Sequence, residues 1–100
     1  MLWFPYSSVA PIEFEFDETK SQSNLAKHAI DFVEAQRIWD DENKTIVAGR
    51  STDEERWIIV GKIDDKLYSA IFTWRDRRVR IISVRRSHEK EVKQYERSNR

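Results

Sequence analysis

The sequence predicts an α+β domain: an antiparallel sheet of about four to five strands, with two helices near the N-terminus and a third closing the chain. Three observations predict it. Ile12 to Phe16 alternates apolar and acidic side chains, the two-residue period of a half-buried strand. Asp17 and Asp31 each stand at the head of a helix-compatible segment. From Arg56 onward, runs rich in β-branched and aromatic residues alternate with short polar turns, as in an antiparallel meander.

Taken in order, Met1 to Pro11 holds both prolines and fits neither period, so residues 1–11 read as an irregular extension and 12–100 as one domain. Asp17 is placed to cap a helix over 18–28, in which Leu25 and His28 share a face. Asp31, with Glu34 three positions on, resembles a capping box, and Phe32, Ala35, Ile38 and Trp39 form a helical apolar stripe to about residue 39. At that spacing the Trp39 ring belongs to a core rather than to a base-stacking platform. Asp40 to Asn43 is an acidic turn, Thr45 to Ala48 a strand and Gly49 to Asp53 a loop. Trp57 to Val60, Leu67 to Trp74 and Val79 to Val84 are strands, with turns at Asp64-Asp65 and at Arg75 to Arg77. In the last strand simple alternation puts Val79, Ile81 and Ser83 on one face and Arg78, Arg80, Ile82 and Val84 on the other. Arg80 would then stand among apolar neighbours and require an anion. Ser87 to Arg97 reads as the closing helix, acidic at its start and basic at its end, anchored by Val92 and Tyr95.

Composition excludes several functional classes. With 100 residues the chain supports one compact core, and 12% aromatic residues are too many anchors for a disordered chain. The absence of cysteine removes disulfide frameworks and thiolate metal sites, and two histidines make a poor metal cage, so no metal or other cofactor is expected. No apolar run approaches the roughly 18 residues of a membrane span, and the first residues lack the basic start of a signal peptide. A cytoplasmic protein without a membrane partner is expected. Phosphate-cradling glycine loops, GxSxG elbows and HExxH pairs do not occur.

The balanced net charge conceals an asymmetry. Residues 1–55 carry 5 basic and 12 acidic side chains, whereas residues 56–100 carry 13 basic and 6 acidic ones. Six of the basic residues are arginines between 75 and 86, and the guanidinium fork matches phosphate geometry. Charge alone fits a polyanion partner and a solvated strand face equally well. What remains for chemistry is a set of cations and proton donors: Lys27-His28, Glu55-Arg56, the arginine ribbon, His88 and Tyr95. Such groups suit RNA cleavage without a metal. RNA carries its own nucleophile, the 2′-hydroxyl, so a protein need supply only a base, an acid and cations for the crowded phosphate. Each group also has a plainer role: His28 at a helix end, Glu55 in a surface ion pair, Tyr95 as a helix anchor, His88 at the surface.

Between Glu13 and Glu96 the sequence resembles the BrnT-type toxins of type II toxin–antitoxin modules. The residues that carry the resemblance are Phe14-Glu-Phe-Asp17 with Lys20, Asn24 and Lys27-His28; Phe32-Val-Glu-Ala35 and Trp39-Asp-Asp41; Asp53-Glu-Glu-Arg56 with Gly61; and Arg80-Ile-Ile-Ser83 with Arg85, Glu91 and Tyr95-Glu96. The resemblance implies a RelE-like fold and a ribonuclease that cleaves RNA and arrests translation and growth. It also implies a cognate ribbon-helix-helix antitoxin (BrnA-like), with operator DNA met only through that antitoxin, and it leaves open whether message is cut on the ribosome. Carried over by position, Lys27, His28, Glu55 and Arg80 become catalytic candidates and Arg56, Arg85 and Tyr95 RNA-binding candidates. The competing expectation is a degenerate toxin, a module that binds RNA or antitoxin without cutting. Ala29 stands where the family usually has the glycine that terminates a helix, so strain or extension is expected there, with His28 repositioned.

Overall fold

A computed structural model describes residues 12–50 and 55–100. The expected extension over residues 1–11 and most of the Gly49 to Asp53 loop lie outside the described residues. The elements are β1 (Phe14–Glu15), α1 (Glu18–His28), α2 (Phe32–Ala35) continued by a 3-10 turn (Gln36–Asp40), β2 (Thr45–Ala48), β3 (Trp57–Ile63), β4 (Lys66–Arg75), β5 (Arg78–Arg86) and α3 (Glu89–Ser98). The fold is α+β with a five-stranded sheet in the order β1-β5-β4-β3-β2.

One expectation about the sheet is corrected. It is mixed rather than antiparallel, because β1 lies parallel to β5, with Phe14 opposite Val79 and Glu15 opposite Arg80. Alternation reports that a strand is half buried and carries no information about the direction of its partner. The other three pairings are antiparallel, as the short polar turns require of β3–β4 and β4–β5. The β3–β4 and β4–β5 turns place Asp64, Asp76 and Arg77 in the left-handed region without any glycine.

The core lies between one sheet face and the helical segment. Phe32, Ala35, Ile38 and Trp39 pack on Ile59, Ala70, Phe72, Val79, Ile81 and Val84. Trp39 sits edge-on to Phe14 and Phe72, with ring centroids 5.0 and 5.2 Å away, which adds roughly 0.5–1.5 kcal/mol per pair beyond burial. The helix expected to run to residue 39 instead tightens after Ala35. Close approach is the reason: a Cβ on Gly61 would lie 3.0 Å from Ile38 Cγ2 and 3.1 Å from Ile38 O. The 3-10 backbone therefore rests directly on a side-chain-free spot of β3.

One further expectation, on β5, is corrected, while α1 is as polar as its sequence. On α1 the buried residues are Ser21 and Asn24, while Leu25 is exposed, so this helix docks through polar groups. On β5 the simple alternation fails. Phe72 pairs with Ile81 and Ile71 with Ser83, so Ile82 is an extra residue in a bulge. Beyond it the faces exchange: Val84 joins Val79 and Ile81 in the core, and Ser83 joins Arg80 on the opposite face. Arg80 is therefore flanked in the sheet by Glu15 and Thr73, not by Ile82 and Val84. The third helix, α3, covers the β2–β3 end of that opposite face and buries Tyr95.

Candidate active site

The position of α1 decides where its basic end points. Asp17 caps its start by accepting from Lys20 N–H at 3.1 Å, and Lys27 and His28 occupy the last turn, where the helix dipole favours cations. Ala29 ends the helix in the left-handed conformation, φ 62°, with its N–H donated to Leu25 O at 2.8 Å. The helix thus stops at the family's position and carries the strain of a Cβ instead of extending. Asn24 then clamps α1 to β5. Its amide nitrogen donates to Val84 O and to Ile30 O, both at 2.8 Å, and its oxygen accepts from Val84 N–H at 3.2 Å. One side chain so replaces a neighbouring strand at a point on β5 that β1 is too short to cover.

That clamp sets Lys27 and His28 beside the β5 bulge. Together with Lys20, Ser23, Ile82 and Ser83 they line an open groove of about 290 Å³. His28 is half-buried and Lys27 exposed. Ser83, which lines the groove, shares its sheet face with Arg80, earlier on the same strand.

Arg80 is held from both sides. Across β1 its Nη1 donates to Glu15 Oε2 at 3.2 Å, with both side chains about a quarter to a third exposed, at 25% and 30%. Across β4 stands Thr73, whose hydroxyl donates to Glu55 O at 2.8 Å. Arg80, Thr73 and the start of β3 therefore form one row. Glu55 and Arg56 are exposed, and the main chain of each is pinned, Arg56 O accepting from Gly49 N–H at 2.7 Å. Beyond the Glu15 contact, Arg80 has no further side-chain hydrogen bond among the described residues, which leaves donors of its guanidinium open. Its neighbour Arg78 pairs with Glu13 at 3.0 Å nearer solvent, and this contact raises the guanidinium pKa above its ordinary value.

The other two candidates on this side are engaged in the frame. Arg85 grips Glu91 with two parallel bonds of 2.8 Å, and the bond to Glu91 raises its pKa. Glu91 also accepts from Ser69 at 2.9 Å and from His88 N–H at 2.8 Å, which caps α3. Burial alone would push the Glu91 carboxyl up, but Arg85, the His88 N–H and Ser69 outweigh it and bring it down to about 2. Tyr95 is 7% exposed and donates its hydroxyl to Asp41 at 2.8 Å. Burial and then that hydrogen bond push its phenol up to about 12. Asp41 receives Lys62 N–H at 2.7 Å and Asn43 N–H at 2.8 Å as well. These donors, with the tyrosine, overcome the burial of its carboxyl and hold it below the ordinary value.

The structure places Lys27 and His28 in one groove at the β5 bulge, sets Arg80 on the same strand in a row that reaches Glu55 and Arg56 through Thr73, and engages Arg85 and Tyr95 as anchors of α3. His88 lies at the surface, as its position before α3 suggests. Sequence reasoning missed two partners. Glu15 was read only as the polar half of an alternating strand, although a carboxylate in a strand next to an arginine-bearing one is the signal that identifies it. Asn24 stood among the family residues without a role, and its signal is an amide in a helix otherwise poor in buried apolar groups. Among the described residues no group of three or more His, Cys, Asp or Glu side chains is placed to hold a metal ion. No helix among them is long and apolar enough to cross a membrane.

A search of curated proteins finds no match to the chain. A family model described as the ribonuclease toxin, BrnT, of type II toxin–antitoxin systems matches residues 16–91. The match contains the Asn24 clamp, Lys27-His28, Glu55-Arg56, Arg80 and the Arg85–Glu91 pair, and it ends before Tyr95. Well over half of the sequence follows this pattern, and the chain belongs to the BrnT family of type II toxin–antitoxin ribonuclease toxins.

Proposed function

We propose that the protein is an endoribonuclease toxin that cuts RNA without a metal ion, arrests translation and growth in the cytoplasm, and is neutralised by a cognate ribbon-helix-helix antitoxin of the BrnA kind. The observation that carries this reading is the half-buried Arg80, oriented by Glu15 with guanidinium donors left open, on the same strand as Ser83 of the groove that holds Lys27 and His28. A phosphodiester seated at Ser83 would meet Arg80 from the strand and Lys27 from the helix. Two cations offset the charge that builds on the phosphate as the 2′-oxygen attacks. His28 or Glu55 moves the protons, and Arg56 extends the cationic surface along the RNA. Arg85 and Tyr95 act through the frame, because their polar groups are already committed to Glu91 and Asp41. An antitoxin would silence this surface by covering its cations with acidic groups.

The test is incubation of the purified protein with a defined RNA in EDTA, alongside Arg80→Ala, with the cut ends mapped. Cyclic phosphate and 5′-hydroxyl ends from the wild type, and a rate lower by ~10²- to 10³-fold in the variant, are expected. Equal cleavage by both proteins would remove Arg80 from the site. Salt-sensitive binding without cleavage would instead favour the non-catalytic module.

A further inference from the structure

A metal-free cut needs a base at the 2′-hydroxyl and an acid at the leaving 5′-oxygen, and the two must flank the phosphate. We infer that Glu15 is the base of this site, its carboxylate placed by strand register against Arg80. The inference rests on the ribonuclease reading above and adds to it a residue on β1.

Three observations converge on Glu15. Its backbone is fixed in the ladder opposite Arg80, so its side chain shares the arginine's face of the sheet. Its Oε2 lies 3.2 Å from Arg80 Nη1, and a guanidinium that binds the scissile phosphate would hold that carboxylate next to the attacking 2′-oxygen. Its exposure is 25%, against 66% for Glu13, the other carboxylate of β1, whose partner Arg78 is 52% exposed. Glu55 is exposed, and it is its carbonyl that joins the row, through Thr73. His28 and Ser83 of β5 line one groove, and the imidazole is assigned the acid's place opposite Glu15.

The step balances within these groups. The 2′-O–H bond breaks and its proton passes to Glu15, the 2′-oxygen forms a bond to phosphorus, and the bond from phosphorus to the 5′-oxygen breaks. The 5′-oxygen takes a proton from His28 imidazolium. Proton exchange with solvent restores both side chains, and the products are a 2′,3′-cyclic phosphate and a 5′-hydroxyl.

The plainer role for Glu15 is an ion pair that straps the two-residue β1 to β5, where Arg78 Nη1 also lies 4.0 Å from its Oε1, and Glu13, paired with Arg78 at 3.0 Å, provides the comparison. Glu15→Gln keeps the shape and the contact to Arg80 but cannot take the proton. The expected result is a fall in kcat of ~10²- to 10⁴-fold with KM little changed, partial recovery in Glu15→Asp, and near wild-type rates in Glu13→Gln. Thermal unfolding of all variants reports on the strap separately. A substrate whose 5′-oxygen is replaced by sulfur needs no acid, so it should rescue His28→Ala and leave Glu15→Gln slow. Cleavage by Glu15→Gln within a few-fold of wild type, or equal losses in Glu13→Gln and Glu15→Gln, would overturn the assignment while the ribonuclease reading stood. Failure of the wild type to cleave at all would overturn both.

Discussion

Replacing Asn24 by alanine strips three hydrogen bonds from backbone groups that water cannot reach. Val84 is 0% and Ile30 3% exposed, and the amide bridges Val84 N–H, Val84 O and Ile30 O at 3.2, 2.8 and 2.8 Å. A made hydrogen bond contributes about 1 kcal/mol net, and each buried group left unpaired costs about 1–3 kcal/mol. Partial relaxation of α1 away from β5 caps the total, so roughly 3–5 kcal/mol is expected, a large share of the ~5–15 kcal/mol that holds a domain together. In a domain of this size each kcal/mol moves Tm by about 4–8 °C, so Asn24→Ala should melt at least ~12 °C lower. Thermal and urea unfolding followed by circular dichroism measure this directly. Asn24→Asp sharpens the test, because it has the same shape and keeps the acceptor for Val84 N–H. It turns one oxygen toward both carbonyls, so it should be at least as unstable as the alanine variant at neutral pH. A loss under 1 kcal/mol in Asn24→Ala, or wild-type stability in Asn24→Asp, would refute the idea that this amide stands in for a strand.

Three further outcomes follow from the same geometry. Ala29→Gly should stabilise the protein by about 0.5–1 kcal/mol, because a left-handed L-residue costs roughly 1–2 kcal/mol and the added freedom of glycine in the unfolded chain returns part of that; a Tm equal to or below wild type would contradict it. The Glu91 carboxyl titrates at about 2 when folded against an ordinary 4.5, so its contribution is complete above about pH 5 and drains as pH falls through 4.5 toward 2. That difference is worth roughly 3 kcal/mol, of which about 2 is gone by pH 3, and urea titrations at both pH values should show Glu91→Gln losing less between them than wild type. Gly61→Ala forces a methyl group to 3.0 Å from Ile38 Cγ2 and should cost about 1–3 kcal/mol by the same unfolding assay.

Much of the fold was legible because local chemistry and tertiary structure agree. Asp17 and Asp31 both cap the helices expected of them, the latter accepting from Glu34 N–H at 2.8 Å. The β3 to β5 meander follows its turn residues. What was illegible depends on contacts between distant segments. Nothing in Arg78 to Arg86 marks Ile82 as a bulge, since the extra residue is defined only by counting against Ile71 and Phe72 on β4. The parallel direction of β1 depends on α1 and α2 carrying the chain back over the sheet. Ser21 is buried because its hydroxyl accepts from Phe32 N–H at 2.9 Å, a partner eleven residues on that no periodicity announces.

The site was half legible for a related reason. Arg80 and Arg85 lie five residues apart in one basic run, and by composition both are phosphate ligands. The bulge keeps both on the same face of the sheet, yet they meet different acids. Arg85 meets Glu91, buried under α3 and able to engage it with two bonds, whereas Arg80 meets Glu15, which takes one and leaves donors open. The charge asymmetry between the halves of the chain has the same resolution. Acidic β1 lies alongside basic β5, so Glu13 and Glu15 neutralise part of the cationic strand from within the molecule. A polyanion therefore does not meet a uniform basic ribbon. Lys20 and Lys27 of α1, which make no ion pair among the described residues, line a groove with Ser83 of β5, and Arg80 on that strand keeps donors open. Placing the candidate site requires the pairing of β1 with β5, and that pairing is what the count of charges conceals.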